Sequence, residues 1–291
     1  MKGKCITQGR DIPEGYIIGI DQGATNTRVA VMDTTGTLVG SHQMARGVVD
    51  NQPDSALDVI AVSADSALGD AGVALDEVNI VVAGIAGVDC EDDVDRITEA
   101  LGTYFADRRV VVCNDAVIAY CSGSLAPVGA VITAGTGLKV ALFAPDGSLE
   151  RYVAAPQDSP SIARLTPDTL DSASTGDEGA SAIVESFADE LCATFVSALE
   201  RMGMLVSACD IVLTGNVFSA YTPSGKPNLL IAGVHERLSA GAPHATLVDA
   251  PYQSVVGACL YGLDVVNGHI TKADMKRIAT SAKRLGLTRL G

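Results

Sequence analysis

The strongest constraint on the fold is a passage that occurs twice. Ala24-Thr25-Asn26-Thr27-Arg28-Val29-Ala30-Val31 lines up with Gly135-Thr136-Gly137-Leu138-Lys139-Val140-Ala141-Leu142 at a constant offset of 111 residues, and the offset carries on to Gly36 against Gly147 and Leu38 against Leu149. Each copy reads as a strand, a Thr-bearing turn, a second strand opening on a cation, and a glycine turn. Such duplication predicts two similar lobes. In the first copy the apolar run 17–20 ends in Asp21, and the turn follows at Gln22, Gly23, Ala24, Thr25 and Asn26. Two buried strands joined by a Gly/Thr turn fit this pattern. The turn offers backbone N–H groups and hydroxyls, which suit a phosphate, and Asp21 at the strand end is placed to hold a hydrated Mg²⁺. Taken singly, a glycine-containing hairpin of this kind usually binds nothing; recurrence is what favours the phosphate reading. Two such turns facing each other across a cleft would grip a polyphosphate from both sides.

At 291 residues the chain has room for one large domain or two of ordinary size. The net charge of −15 argues against nucleic acid or an anionic membrane as the main partner. It still permits ATP, because Mg²⁺ and local N–H groups supply the positive field. Seven cysteines are scattered with no CxxC and no Cys/His cluster, a set that suggests a reducing cytoplasm. The first 16 residues lack an apolar leader core, and no apolar run is long enough to span a bilayer. A cytoplasmic protein is expected.

Read in order, strands fall near 17–21, 28–33 and 37–43, a helix over 52–71, a strand at 78–83, a helix over 91–105, a strand at 110–113 and a helix from 116. After a crossover at Leu125-Ala126-Pro127 come strands near 129–134, 138–144 and 149–153. A Pro/Ser/Asp-rich stretch occupies 156–174. Then follow a helix over 178–202, a strand at 211–214, a helix over 229–240, a strand at 245–248 and a helix over 254–266. Both halves read βββαβαβα. The expected organisation is an N-terminal lobe over 1–126, a C-terminal lobe over 127–268, and a basic amphipathic helix over 269–291 packing back on the acidic body.

Twin βββαβαβα lobes carrying DQGATNT, NDA, AGTG and LTGNVF in that order resemble the actin-like ATPase and sugar kinase superfamily. Within it the sequence is most similar to the N-acetylglucosamine kinase group, which includes BadF/BadG-type ATPases. The resemblance runs over residues 17–268. It implies an α/β fold of duplicated ribonuclease H-like domains with an interlobe cleft, and ATP with Mg²⁺ as cofactors. By resemblance, Asp21, Gly23, Ala24, Thr25, Asn26 and Thr27 form the first phosphate loop, with Asp21 the Mg²⁺ carboxylate. Gly135, Thr136 and Gly137 form the second. Gly215 and Asn216 contact adenosine by the same resemblance; taken alone, they read as a plain strand-to-helix turn.

Asn114 and Asp115 follow a strand and precede a helix, where open parallel sheets place their ligand crevice. In the resembled kinases an Asp here takes the proton of the attacking sugar hydroxyl. Asp115 also suits the cap of the following helix, and the two roles are compatible. Asn51 and Gly87 would line the sugar side, or serve as an exposed loop polar and a flexible strand end. Lys139 either steers phosphate or faces solvent. The chain departs from the group in lacking Trp and the Gly-Gly-Trp-Gly stretch. Gly176-Asp177-Glu178-Gly179 is either a remnant of the group's acidic glycine signature or a helix start, with Thr175 and Glu178 at capping-box spacing.

Three functions are compatible with this reading. One is an ATP-dependent kinase for an amino sugar or related small sugar, N-acetylglucosamine kinase-like, with Asp115 as base. A second is a nucleotide-driven activator ATPase read by a partner protein. The third is a non-catalytic sugar or nucleotide sensor. The expected partner is a small sugar, with neither nucleic acid nor membrane. Dimers are common among the resembled proteins, which admits a homodimer.

Overall fold

The computed structural model describes residues 14–23, 25–45, 53–106, 108–134, 138–146, 149–155 and 160–289. The first half contains β1 (Tyr16–Gln22), β2 (Asn26–Asp33), β3 (Leu38–Ala45), α1 (Pro53–Ala71), β4 (Val78–Ile85), α2 (Glu91–Tyr104), β5 (Arg109–Asn114) and α3 (Asp115–Cys121). The second contains β6 (Gly129–Ala134), β7 (Leu138–Phe143), β8 (Leu149–Ala155), α4 (Pro160–Ala163), α5 (Pro167–Ser174), α6 (Glu178–Arg201), β9 (Cys209–Thr214), α7 (Leu229–Gly241), β10 (Ala245–Asp249), α8 (Ser254–Asn267) and α9 (Lys272–Arg284).

The strands form two five-stranded sheets, β3-β2-β1-β4-β5 and β10-β9-β6-β7-β8. In each, three antiparallel strands joined by short turns are followed by two parallel ones, reached through helices. The second sheet therefore repeats the strand order of the first. Strand alternation assigns the faces. Ile18, Ile20, Val29 and Val31 point toward α1 and α2, where Ile60, Ala64, Leu101 and Phe105 cover them. Ile17, Ala30, Met32 and Val82 point the other way, onto Val255, Val256 and Cys259 of α8 and Ile278 and Ala282 of α9. Thus α8, which follows the last strand of the second sheet, lies on the first sheet. Conversely, Ala119 and Tyr120 of α3 pack on Val131, Ala141 and Val212 of the second sheet. The opposite face of that sheet is closed by α6 and α7 through Leu191, Phe195, Leu230 and Val234.

The packing of α3 on α8 depends on Gly257. A Cβ there would sit 2.0 Å from the Ile118 carbonyl oxygen and 2.7 Å from the Ser122 nitrogen, so only glycine lets the two backbones approach.

The stretch 156–174 departs from the sequence reading, which gave it no elements. Among its described residues it forms α4 and α5. Thr166 caps α5 by accepting from the Thr169 N–H at 3.1 Å, and Pro167 takes the first turn, where its missing N–H costs nothing. The start of α6 is likewise corrected: Asp177 is its cap, accepting from the Ala180 N–H at 2.7 Å, in place of a box opened by Thr175. Among the described residues no helix is long and apolar enough to cross a membrane.

Candidate active site

Three parallel strands of the first sheet end together. Asp21 of β1 lies opposite Gly84 of β4, Gly84 opposite Cys113 of β5, and Ile85 opposite Asn114. At the spacing of neighbouring strands, about 4.8 Å, the backbones of Asp21 and the end of β5 are only about 10 Å apart. Helix α3 starts at this edge. Its cap is Asn114, whose side-chain oxygen accepts from the Ala116 N–H at 2.9 Å. The capping role expected of Asp115 thus falls to its neighbour, and Asp115 becomes the first residue of the helix. The Asn114 amide also donates to the Val88 carbonyl at 3.0 Å and to Asp89 Oδ1 at 3.2 Å, tying the loop after β4 to the start of α3.

The side chain of Asp21 is 16% exposed, and its Oδ2 lies 3.8 Å from an Arg28 guanidinium nitrogen. Arg28 is its direct cross-strand partner and also donates to Gln43 Oε1 at 2.9 Å. Burial pushes the Asp21 carboxyl up to about 6; the Arg28 charge opposes that rise and the Asp115 carboxylate adds to it. Two acids therefore share one electrostatic environment, with Arg28 set against the buried one. That is a donor set a dication would relieve. Burial also pushes the Cys113 thiol up to about 12, with Asp115 contributing, so this sulfur stays protonated and behaves as a small apolar group.

The turn after Asp21 divides its polar groups between support and display. The Gly23 N–H donates to the Asn26 carbonyl at 2.9 Å, closing the turn. Thr27 is fully buried and its hydroxyl donates to Gln22 Oε1, itself buried, so this pair braces the hairpin from beneath. Thr25 is exposed, and its hydroxyl accepts from the Asn26 amide at 3.1 Å. Gly87, in the turn after β4, is exposed with φ +88°. Asp21, Thr25, Asn26, Gly87, Asn114 and Asp115 therefore gather at one edge of the first sheet.

Gly215 and Asn216 lie at the matching edge of the second. Thr214, buried at the end of β9, shares a hydroxyl hydrogen bond of 2.7 Å with Thr133 of β6. Gly215 has φ +93°, and a Cβ there would fall 2.0 Å from the Ala134 carbonyl oxygen. Both observations require glycine. Asn216 is exposed and opens a 3-10 turn, Asn216–Phe218, whose Phe218 N–H returns to the Gly215 carbonyl at 3.1 Å. Lys139 projects to solvent from β7. The expected positions Ala24, Asn51, Gly135, Thr136 and Gly137 lie outside the described residues. Sequence reasoning did not foresee that Arg289, far along the chain, donates to the carbonyls of Leu213, Gly215 and Phe218. No local pattern announces a contact across that separation.

Comparison with known proteins agrees with this architecture. Residues 18–157 match the profile of the BadF/BadG/BcrA/BcrD ATPase family. No curated protein matches the chain by sequence. Among solved structures, a ROK family glucokinase from Streptomyces griseus in complex with glucose and AMPPNP superposes with a TM-score of 0.57. It is 18% identical, over 88% of this chain and 100% of that one. A candidate N-acetylmannosamine kinase from Listeria monocytogenes, Lmo2764, gives 0.61 at 14% identity, over 87% and 100%. A ROK family transcriptional regulator, described as a homologue of the E. coli MLC protein, gives 0.60 at 13% identity, over 91% and 81%. At these identities the likeness establishes the fold, that of the actin-like ATPases and ROK sugar kinases.

Proposed function

We propose that the chain is an ATP-dependent phosphotransferase acting on an amino sugar or a related small sugar. The observation that carries the reading is the convergence of Asp21 and Asp115 on one sheet edge, close enough for the charge of Asp115 to raise the pKa of Asp21. The ATPase-family match over the first half of the chain and the kinase-type fold support it. On this reading the lobes are residues 1–126 and 127–268, followed by the tail 269–291. The first phosphate turn is Gly23–Thr27 and the second is Gly135–Gly137, with the adenosine side at Gly215 and Asn216. Asn51, Gly87 and Asn114 face the sugar.

Phosphoryl transfer needs position and charge neutralisation more than covalent help. Asp115 accepts the proton of the acceptor hydroxyl as that oxygen forms its bond to the γ-phosphorus. The bond from the γ-phosphorus to the bridging oxygen breaks, and ADP leaves with the electron pair. Asn114 holds Asp115 in place through the helix cap and the loop 88–89. Asp21 is the residue that would hold Mg²⁺, whose charge would offset that of the triphosphate.

The test is ADP release with Mg·ATP across a panel of hexoses and N-acetylated amino sugars, alongside Asp115→Asn. Sugar-stimulated release in the wild type and its loss in the variant are expected. Binding of ATP or sugar without turnover under any condition would instead indicate a sensor. Release stimulated only by a protein partner would indicate an activator ATPase.

A further inference from the structure

We infer that Arg289 is a positioning residue for the nucleotide, fixing the turn after β9 from the C-terminal tail. This rests on the nucleotide-binding reading above and deepens it. The turn from Leu213 to Phe218 aims three carbonyl oxygens at one guanidinium: Leu213 at 2.6 Å, Gly215 at 3.0 Å and Phe218 at 3.4 Å. A planar fork with five N–H donors can satisfy several carbonyls at fixed angles, which a lysine ammonium cannot do in the same way. Gly215, the central acceptor, is also the residue pressed against the Ala134 carbonyl, immediately before the second glycine–threonine motif. Arg289 therefore holds the residues proposed to meet adenosine against the end of the strand that leads into the second phosphate turn.

The tail is itself anchored so that the arginine arrives there. The Gln253 N–H donates to the Leu287 carbonyl at 3.0 Å, and the Gln253 amide to the Gly286 carbonyl at 3.0 Å. The Arg289 N–H donates to the Pro251 carbonyl at 2.9 Å, and Tyr252 and Thr288 form an isolated bridge. These contacts lay residues 286–289 along the connection between β10 and α8. Asp249, at the end of β10, attracts the Arg289 charge, while burial of the guanidinium pulls its pKa down. A guanidinium held in this setting against three carbonyls contributes geometry. Charge-assisted hydrogen bonds of this kind hold a loop more firmly than neutral ones.

The experiment compares wild type with Arg289→Lys, which keeps the charge and loses the fork. Affinity for a fluorescent ADP analogue and the KM for ATP are measured beside kcat, the KM for sugar and the melting temperature. A loss of ADP affinity on the order of tenfold is expected, with a matching rise in the KM for ATP, as for one or two charged hydrogen bonds. The kcat and the KM for sugar should stay within about twofold. Unchanged ADP affinity in a folded variant overturns the inference. Hydrogen exchange on the wild-type protein gives a second arm that needs no variant. Saturating ADP should slow amide exchange in residues 286–289 together with 213–219, and slowing in 213–219 alone overturns the inference. A wild-type protein that binds no ADP overturns the nucleotide reading, and this inference with it.

Discussion

At the scale of single residues, Asp21 carries a conflict between stability and chemistry. Its folded pKa of about 6, against an ordinary value of 3.8, means that the folded protein holds this proton more tightly than the unfolded chain does. Stability is therefore greatest below pH 3.8 as far as this group is concerned. It falls as pH rises through the window from 3.8 to about 6, and levels above it. The full cost at neutral pH is roughly 3 kcal/mol by linkage. Asp21→Asn removes that cost, which is already net of the Arg28 attraction, for a gain of up to roughly 3 kcal/mol in the protein without nucleotide. Urea unfolding at pH 7.5 should show the gain, and the same comparison at pH 4 should show most of it gone. The variant should also lose Mg²⁺-dependent turnover, because the amide no longer offers a charged oxygen to a hard cation. A variant less stable than wild type at pH 7.5 would mean that the Arg28 pair outweighs burial.

Among elements, α3 packed between the two sheets and α8 packed on the first set how the two sheets are joined. Gly257→Ala places a methyl group 2.0 Å from the Ile118 carbonyl oxygen, and backbone cannot yield as a side-chain tip can. We expect a loss of roughly 2–4 kcal/mol, the size seen for overpacking with backbone displacement, measured by urea unfolding of the intact chain. Little change would show that the two helices are free to move apart. The elements themselves were largely legible in the sequence. Runs such as 17–20 and 80–83 are apolar because their strands are covered on both faces. The short α5 was not legible, because a Pro/Ser-rich composition masked the cap at Thr166 and the proline of its first turn. Nor was the crossing of α8 to the first sheet, since its apolar pattern states that it is buried without naming the surface that covers it. The strand-end positions of Asp21, Asn114 and Asp115 were legible in the sequence, and their roles are those proposed above. Which of the last two caps α3 was decided by hydrogen-bond geometry that spacing does not encode, and the reach of Arg289 is a tertiary fact with no local signature.

Across the whole molecule, two sheets of one strand order are held as layers: α1 and α2, the first sheet, α8 with α9, α3, the second sheet, then α6 and α7. Helix α3 lies between both sheets: Ile118 packs with Ile80 and Val82 of the first, and Ala119 and Tyr120 pack with Val131, Ala141 and Val212 of the second. An assembly of this kind suits a reaction in which two lobes bring nucleotide and acceptor together. The account's central claim is that the carboxylate at the start of α3 takes part in the transfer step itself and contributes little to holding the nucleotide. Single-turnover transfer from labelled ATP to saturating sugar, in wild type and Asp115→Asn, tests it most directly. The account predicts a fall in the transfer rate of about 10²- to 10⁴-fold with ADP affinity changed by less than about threefold. Transfer at the wild-type rate in the variant would contradict it.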